Sequence, residues 1–234
     1  MTSDVNTSYY AKERPEVVPF LPTVATRVLE VGCSEGRFRA NLPKTSEYRG
    51  VELSAEVARV AATVLDAVLV GTYGEVAAEL PAHYFDLVIC NDVIEHMPDH
   101  DAFLEDIKQK MAPGAHLVGS VPNVRYLPNL KQLLVRKEWR YADWGVLDRT
   151  HLRFFTRQSW ERTLREHGFV IEAIAGINGV DLGPTWARRL ANRAAIAVLG
   201  ADTRFQQYAF RARVGPSETQ AGLGTRTPVA TSTR

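Results

Sequence analysis

The chain has 234 residues, of which 45% are apolar, and its formal net charge is +1. This length supports one sizeable hydrophobic core, and the near-neutral charge gives no general argument for a nucleic-acid or membrane partner. No apolar run reaches the ~18 residues that a spanning helix needs, and MTSDVNTSYY lacks the apolar core of a signal peptide. Cys33 and Cys90 have no metal-type spacing. Together these features predict a reduced, cytoplasmic protein.

Residues 1–26 are predicted to form an N-terminal cap segment ahead of the first strand. Tyr9, Tyr10 and Arg14 form an aromatic and basic group within it. Such a group either covers the edge of a sheet or closes over a ligand at the end of a strand, and both roles stay open. The second role makes these three residues candidates for binding a substrate.

A short strand followed by a glycine turn comes next. Arg27 to Val31 is rich in branched aliphatic residues, as in a buried strand. Gly32 and Gly36 then permit a tight turn and a close approach of the backbone to a ligand, because neither has a Cβ. The spacing Glu30-x-Gly32-x-x-x-Gly36 differs from the G-x-G-x-x-G of dinucleotide-binding turns, so the ligand need not contain a pyrophosphate.

The second predicted strand, residues 48–53, brings an acid to its end. Glu52 lies twenty residues past Gly32, where an acidic side chain accepts hydrogen bonds from ribose hydroxyls in open α/β sheets. The alternative is an acid at the start of a helix, because Ser54 is a good N-cap for the alanine-rich helix predicted over 55–65.

Polar residues also follow the next three predicted strands. Strand three covers 67–71 and precedes Thr72 and Tyr73; strand four covers 85–90 and precedes Asn91 and Asp92; strand five covers 116–121 and precedes Asn123. Alternating strands and helices predict a doubly wound, Rossmann-like α/β fold, whose ligands lie outside the carboxyl ends of the strands. The five loops are therefore expected to meet in one crevice.

The rest of the chain completes a seven-stranded, mostly parallel sheet. Helices are predicted over 101–111, 158–167 and 182–199, a sixth strand over 169–175, and an antiparallel last strand over 206–214. Residues 27–214 would then be one domain, with an insert at 124–159. Residues 215–234 are rich in Gly, Thr, Ser and Pro and are predicted to be a disordered tail.

The segments LEVGCSEG, GVELS, FDLVICNDVIEHMPD and MAPGAHLVGSVPN, in this order over residues 27–175, resemble the class I S-adenosylmethionine-dependent methyltransferases. The V-I-E-H segment is similar to a broad group within that class. Tyr-Tyr before Arg-Pro-Glu, and the later DRTHLRFFT, resemble O-methyltransferases of sugar and natural-product biosynthesis.

This resemblance implies an S-adenosyl-L-methionine cofactor and assigns roles around it. Glu30 would hold the glycine loop, Glu52 would bind the ribose diol, and Asn91 would lie near the methionine moiety. The loop at Thr72 would border adenine, although many relatives have Asp there. The predicted cofactor-binding set is Glu30, Gly32, Cys33, Gly36, Glu52, Leu53, Thr72, Tyr73, Asn91 and Asp92.

Transfer of an activated methyl group to a hydroxyl requires a base that removes the proton. His96 follows strand four and His151 lies in DRTHLR, and an imidazole titrates near neutral pH. Both are predicted catalytic residues, while a helix cap or loop packing is an equal alternative for His96.

A metal site is the other interpretation of the same residues. Asp92-x-x-Glu95-His96 together with His151 resembles the cation site of RNA 3′-terminal 2′-O-methyltransferases, although that pattern has Glu at the position of Asp92. Carboxylates and imidazoles suit magnesium or manganese. Because Glu-His after this strand also occurs in metal-free relatives, the default prediction is a site without metal.

The insert at 124–159 carries eight Lys and Arg residues against three acids, with six aromatic residues interleaved. This mixture suits a small, phosphorylated or saccharide-bearing acceptor. Single-stranded RNA is a less favoured alternative, and an ordinary solvated face is the commonest role of such stretches. Predicted acceptor-binding residues are Asn123, Arg125, Tyr126 and Arg153, with the three N-terminal candidates. The predicted function is O-methylation of such an acceptor. The alternatives are a metal-assisted RNA 2′-O-methyltransferase and a non-catalytic S-adenosylmethionine-binding module that acts through a partner.

Overall fold

A computed structural model describes residues 13–215. Within that range, seven strands form a single sheet in the order β3-β2-β1-β4-β5-β7-β6. The strands are β1 Arg27–Val31, β2 Glu47–Glu52, β3 Ala67–Val70, β4 Phe85–Asn91, β5 Met111–Pro122, β6 Phe169–Gly179 and β7 Phe205–Val214. The first five are parallel, whereas β7 runs antiparallel between β5 and β6. The predicted α/β fold with an antiparallel last strand is confirmed.

The described α-helices are α1 Ala55–Ala61, α2 Tyr73–Val76, α3 His100–Lys110, α4 Leu127–Leu134, α5 Arg157–Glu166 and α6 Trp186–Leu199. One expected helix is shorter than predicted, because α1 ends four residues before Leu65. A 3-10 turn, Arg37–Asn41, follows the glycine turn after β1. Helix α4 lies within the insert, where no helix was predicted.

Apolar residues cover both faces of the sheet. On one face, Trp160 and Leu164 of α5 and Leu104 of α3 pack against the strands, and all three are fully buried. On the other face, Val17 and Phe20 of the N-terminal segment are buried in a second cluster. The described part of that segment is therefore a structural cover of the sheet.

Strand pairing decides which residues meet at the carboxyl edge. Asn91 is in register with Ser120 of β5, and Pro122 is in register with Gln207 of β7. Because β7 is antiparallel, its beginning lies beside the end of β5. Side chains from the start of β7 therefore reach the edge at which β4 ends. Among residues 13–215, no helix is both long and apolar enough to cross a membrane.

Candidate active site

The glycine turn after β1 is held by backbone hydrogen bonds to β2. The Gly32 and Cys33 amides donate to the Val51 carbonyl over 2.8 and 3.0 Å. Gly32 has φ +72°, and a Cβ there would lie 2.9 Å from Val93 Cγ2. Gly36 has φ +75°, and its Cβ would lie 2.8 Å from Val64 Cγ2. Both glycines are required by a left-handed backbone and by close packing.

Glu52 holds this turn with one carboxylate oxygen and the start of α1 with the other. Its Oε2 accepts from the Ser34 amide at 3.0 Å, and its Oε1 accepts from the Ser54 amide at 2.9 Å. The side chain is 9% exposed at the end of β2. Each carboxylate oxygen can still accept another hydrogen bond, for example from a ribose hydroxyl. Glu52 thus performs the loop-holding role that the sequence assigned to Glu30.

Glu30 instead faces β2, which corrects the expectation that it holds the loop. Its carboxyl accepts a 2.7 Å hydrogen bond from the Tyr48 hydroxyl, and both side chains are buried. Burial raises the pKa of Glu30 to about 8, against the opposing effect of the Tyr48 hydrogen bond. Glu30 is therefore a buried carboxyl between β1 and β2 that is largely protonated at neutral pH.

The region expected near adenine is partly structural. Tyr73 packs edge-on against Phe103 of α3, with ring centroids 4.8 Å apart, and its hydroxyl donates to Asp106 over 2.6 Å. Thr72 caps α2, and its amide and hydroxyl both donate to Glu75 over 2.8 Å. The ring of Tyr73 is thus a core residue, while Thr72 is exposed, as is Leu53 at 69%.

Asn91 offers an unused amide at the end of β4. Its Oδ1 and Nδ2 are both buried and have no hydrogen-bond partner among residues 13–215. Leaving such a group unpaired costs about 1–3 kcal/mol, so a buried amide of this kind normally has a partner. A bound cofactor at the carboxyl edge would supply that partner, which fits the predicted role of Asn91. Cys33 is buried too, and burial raises the pKa of its thiol well above the usual range.

Asp92 is at the centre of an ion-pair network. Arg14 donates to its Oδ2 over 2.6 Å, and Gln207 of β7 donates to the same oxygen over 2.5 Å. Ser120 donates to Oδ1 over 2.8 Å and accepts from Arg14 over 3.1 Å. Arg14 therefore binds Asp92 rather than presenting a free cation to an acceptor. Ser120 and Gln207 were missed because only strand pairing brings them here.

The insert folds back onto the V-I-E-H segment. The carbonyl of Glu95 accepts from the amides of Leu152 and Arg153 over 2.8 and 3.1 Å. The Arg153 guanidinium donates to the Pro98 carbonyl over 3.0 Å, so it fastens this contact and is not aimed at an acceptor. Two segments some 55 residues apart thus meet beside the end of β4. This juxtaposition brings the two predicted catalytic histidines together.

His96 and His151 lie with ring centroids 4.7 Å apart. His151 Nδ1 is 3.0 Å from the Val146 carbonyl, which can only accept, so this nitrogen carries the proton. His96 Nδ1 likewise contacts the Thr150 carbonyl at 3.2 Å. In the neutral state both rings therefore keep the Nε2 lone pair, the form that accepts a proton or ligates a cation.

The carboxyl group of Glu95 is the third member of the cluster that His96 and His151 form. It is fully buried, and neither carboxylate oxygen has a hydrogen-bond partner among the described residues. Its Oε1 lies 3.9 Å from His151 Nε2, and ligand atoms of Glu95, His96 and His151 lie within 4.8 Å of one another. Burial, and secondly the charge of Asp92, raise the pKa of Glu95 well above its usual range. Burial lowers the pKa of His151, which keeps this imidazole neutral.

The site thus brings the acceptor atoms of Glu95, His96 and His151 together, and no donor among the described residues lies between them. Such a group takes up a proton or a cation. Glu95, His96 and His151 fit a divalent cation by donor type and by separation. Asp92, the fourth metal candidate, is committed to its ion pair with Arg14. Of the four candidate metal ligands from the sequence, Glu95, His96 and His151 therefore lie together, and Asp92 does not join them.

Two predicted acceptor-binding residues have structural roles. Asn123 is fully buried, and its amide donates to the carbonyls of Asp202 and Phe205 over 2.9 and 2.8 Å. Arg125 donates to Asp202 and to the Leu199 carbonyl, both over 2.5 Å. These two corrections have one cause: the segment that leads into β7 packs against the start of the insert. Tyr9 and Tyr10 lie outside the described residues.

Tyr126 borders a cavity of about 180 Å³ between the insert and β7. The lining includes Arg140, Trp144 and Gln206, and also Val146, whose carbonyl anchors His151. An aromatic and basic lining beside a histidine suits a planar or anionic acceptor. The expectation for Tyr126 as an acceptor-binding residue therefore remains a prediction that this cavity supports.

A family model described as a methyltransferase domain matches residues 5–174. The chain belongs to this family. It is a methyltransferase of class I, as the motifs predicted, and the cofactor that this family implies is S-adenosylmethionine. The predicted enzyme class is confirmed.

Solved methyltransferases have the same fold. An S-adenosylmethionine-dependent methyltransferase from Archaeoglobus fulgidus superimposes with a TM-score of 0.60 at 22% identity, covering 88% of this chain and 93% of that one. One from Mesorhizobium loti gives 0.58 at 20% identity, covering 86% and 97%. At these identities the likeness shows the fold alone.

The curated relatives are named ubiquinone biosynthesis O-methyltransferases. The protein from Ralstonia nicotianae is 31% identical over 102 residues, which are 41% of this chain and 43% of that protein. The protein from Hydrogenovibrio crunogenus is 26% identical over 174 residues, 71% and 70% of the two chains. The match to the Ralstonia protein spans less than half of that relative, so the methyltransferase domain is what this chain shares with it.

Proposed function

We propose that this methyltransferase transfers the methyl group to a hydroxyl oxygen of a small-molecule acceptor, and that Glu95, His96 and His151 handle the hydroxyl proton. The observation that carries the proposal is the cluster of three acceptor groups beside the end of β4. The curated relatives are named as O-methyltransferases, which supports oxygen as the accepting atom.

Bound S-adenosylmethionine supplies a methyl group that is already activated on a sulfonium. The protein has to hold the cofactor, orient the acceptor and take one proton. Glu52 can accept further hydrogen bonds at the end of β2. The side-chain amide of Asn91, at the end of β4, has no partner among residues 13–215 and can bind the cofactor. These two side chains are the proposed cofactor contacts.

The proton is proposed to pass to His151. Its Nδ1 is fixed on the Val146 carbonyl, so the ring is oriented with Nε2 free to accept. Its pKa is lowered by burial, which keeps the imidazole unprotonated at neutral pH. Glu95, whose Oε1 lies 3.9 Å from Nε2, is the second member of the pair that handles this proton.

A cation-assisted variant of this function is favoured by one specific observation: both carboxylate oxygens of Glu95 are buried and have no hydrogen-bond partner within residues 13–215. Glu95, His96 and His151 would hold a divalent cation, which lowers the pKa of a bound hydroxyl when present. The three residues then act as ligands, and the ion pair of Asp92 with Arg14 stays outside the ligand set.

The acceptor class is proposed from the cavity beside Tyr126. Its volume of about 180 Å³ suits a small aromatic or sugar-sized group, and Arg140 in its lining suits an anionic substituent. A terminal RNA ribose is the second candidate, because the insert is basic and rich in aromatic residues.

The test is a methyl-transfer assay against phenols, sugar nucleotides and short RNAs, each with and without a chelator. We expect turnover with a small hydroxylic acceptor and at least a hundredfold loss of kcat in His151→Ala, the scale of general-base catalysis. His116→Ala is the matched control, because His116 pairs with Glu172 at 3.3 Å in the middle of β5, away from the carboxyl edge.

Restoration of full activity by added cation would support the cation-assisted variant, whereas activity that a chelator leaves unchanged would support His151 as a plain base. Methylation confined to RNA would replace the small acceptor. An active His151→Ala variant would contradict the proposed role of the cluster.

A further inference from the structure

Helix α6 presents an apolar ridge to solvent. None of its 14 residues is buried. Asn192, Ala195, Ile196 and Leu199 are half-buried and mark the side that faces the protein. On the opposite side Trp186, Leu190, Ala194 and Ala197 follow one another at helical spacing. Trp186 is 78% exposed and Leu190 is 61% exposed.

Helix α4 also ends in exposed apolar residues. Leu134 and Val135 are 60% and 76% exposed. Lys131 of α4 contacts Asn192 of α6, and the two helices border a cavity of about 300 Å³. We call residues 131–140 and 186–198 together the docking face.

The charges on the docking face have one sign, apart from a single acid. It carries seven cations and one carboxylate, Glu138. The cations are Lys131, Arg136, Lys137, Arg140, Arg188, Arg189 and Arg193, and all seven residues are exposed. Helix α6 itself has no acidic residue. A local excess of this size stands out in a chain whose net charge is +1.

We propose that the docking face binds the surface of an anionic lipid bilayer, with α6 lying in the plane of the interface. A helix with Trp and Leu on its outer side, flanked by arginines, has the features of an interfacial amphipathic helix. The apolar ridge would enter the boundary between headgroups and acyl chains, and the arginines would pair with anionic headgroups.

Charge also argues against a second copy of this chain as the occupant. A two-fold contact places the same patch on both sides, so arginines of α6 would meet arginines of the other copy. Like charges facing each other oppose such association. An anionic surface has the complementary charge.

The experiment is co-sedimentation of the full chain with vesicles, using phosphatidylcholine alone and phosphatidylcholine mixed with phosphatidylglycerol. We expect binding to the anionic vesicles that weakens as salt concentration rises, and little binding to the neutral ones. The double variant Trp186→Ser/Leu190→Ser removes the ridge, and Arg189→Glu/Arg193→Glu reverses the charge. Each is expected to reduce binding about tenfold or more.

Matched controls are Val24→Ser, which removes an apolar side chain that is 72% exposed ahead of β1, and Arg162→Glu on α5, whose side chain is 68% exposed. Both should leave vesicle binding unchanged. Affinity for S-adenosylmethionine, measured by calorimetry, checks that every variant is folded.

The proposal is overturned if the wild-type chain does not sediment with anionic vesicles, or if the controls weaken binding as much as the variants do. It is also overturned if light scattering shows a wild-type dimer that the ridge variant converts to a monomer while vesicle binding is absent. Because the readout is sedimentation, failure here leaves the proposed methyl transfer untouched.

Discussion

His151 Nε2 lies 3.9 Å from Oε1 of Glu95, and both atoms are hydrogen-bond acceptors when the imidazole is neutral and the carboxylate ionised. The Val146 carbonyl accepts from the other ring nitrogen, Nδ1. The ring therefore cannot point its N–H toward the carboxylate without losing that hydrogen bond. A buried pair of this kind is stable only with a proton or a cation between its members. The predictions about activity follow from which of the two is present.

We expect a divalent cation to raise the melting temperature of the wild type, because binding to the folded state alone stabilises it. Glu95→Gln should abolish that response, since an amide is a poor ligand compared with a carboxylate. Without cation the same variant should be more stable than the wild type, because it removes a buried carboxyl whose pKa burial has raised. Thermal unfolding with manganese or magnesium measures both effects. A cation response that survives Glu95→Gln would exclude this site.

The acid limb of activity should lie below pH 6.5, the ordinary value for histidine, because burial lowers the pKa of His151. Stability follows the same sign. As pH falls below 6.5, the unfolded chain takes up the proton first, so folding stability declines until the folded-state pKa of His151 is passed. His151→Gln should remove this decline from urea unfolding curves measured along a pH series. A decline of unchanged size in that variant would point to another group.

Glu52→Ala should weaken S-adenosylmethionine binding about 10- to 100-fold, the effect of losing charged hydrogen bonds worth roughly 1.5–3 kcal/mol. The cause is twofold, because Glu52 offers lone pairs to the cofactor and also holds the Ser34 amide. Isothermal titration calorimetry gives the affinity. Glu56→Ala, an exposed acid on α1, is the matched control and should bind as the wild type does.

Tyr48→Phe should lower the free energy of unfolding by about 1–3 kcal/mol, because it leaves the buried carboxyl of Glu30 without its donor. The pKa of Glu30 is about 8, so wild-type stability falls as pH rises from the unfolded value of 4.5 through 8. In the variant the decline should continue to higher pH, because loss of the Tyr48 hydrogen bond raises the pKa of Glu30 further. Denaturant titration on either side of pH 8 checks this, and an equal loss of stability above pH 8 in both proteins would contradict it.

The ordered motifs were enough to predict the fold and the cofactor. Strand, glycine turn and acid recur along the chain at local spacings, and parallel strands end at one edge, so Gly32, Glu52 and Asn91 were expected together. The sequence could not show which of the two acids holds the loop, because Glu30 and Glu52 have the same side chain. In the folded sheet Glu30 accepts from the Tyr48 hydroxyl, and Glu52 accepts from the Ser34 amide of the loop.

By itself the sequence determined the α/β architecture and the methyltransferase family, and it singled out His96 and His151 as candidates, since these depend on local pattern and motif order. Only the tertiary structure decided which polar groups have partners. It pairs Arg14 with Asp92, occupies Asn123 and Arg125 with the segment before β7, and leaves the Glu95 carboxylate, beside His151, without a hydrogen-bond partner among the described residues. The physical reason is that hydrogen-bond capacity is consumed by contacts between distant segments, and such contacts leave no trace in local spacing.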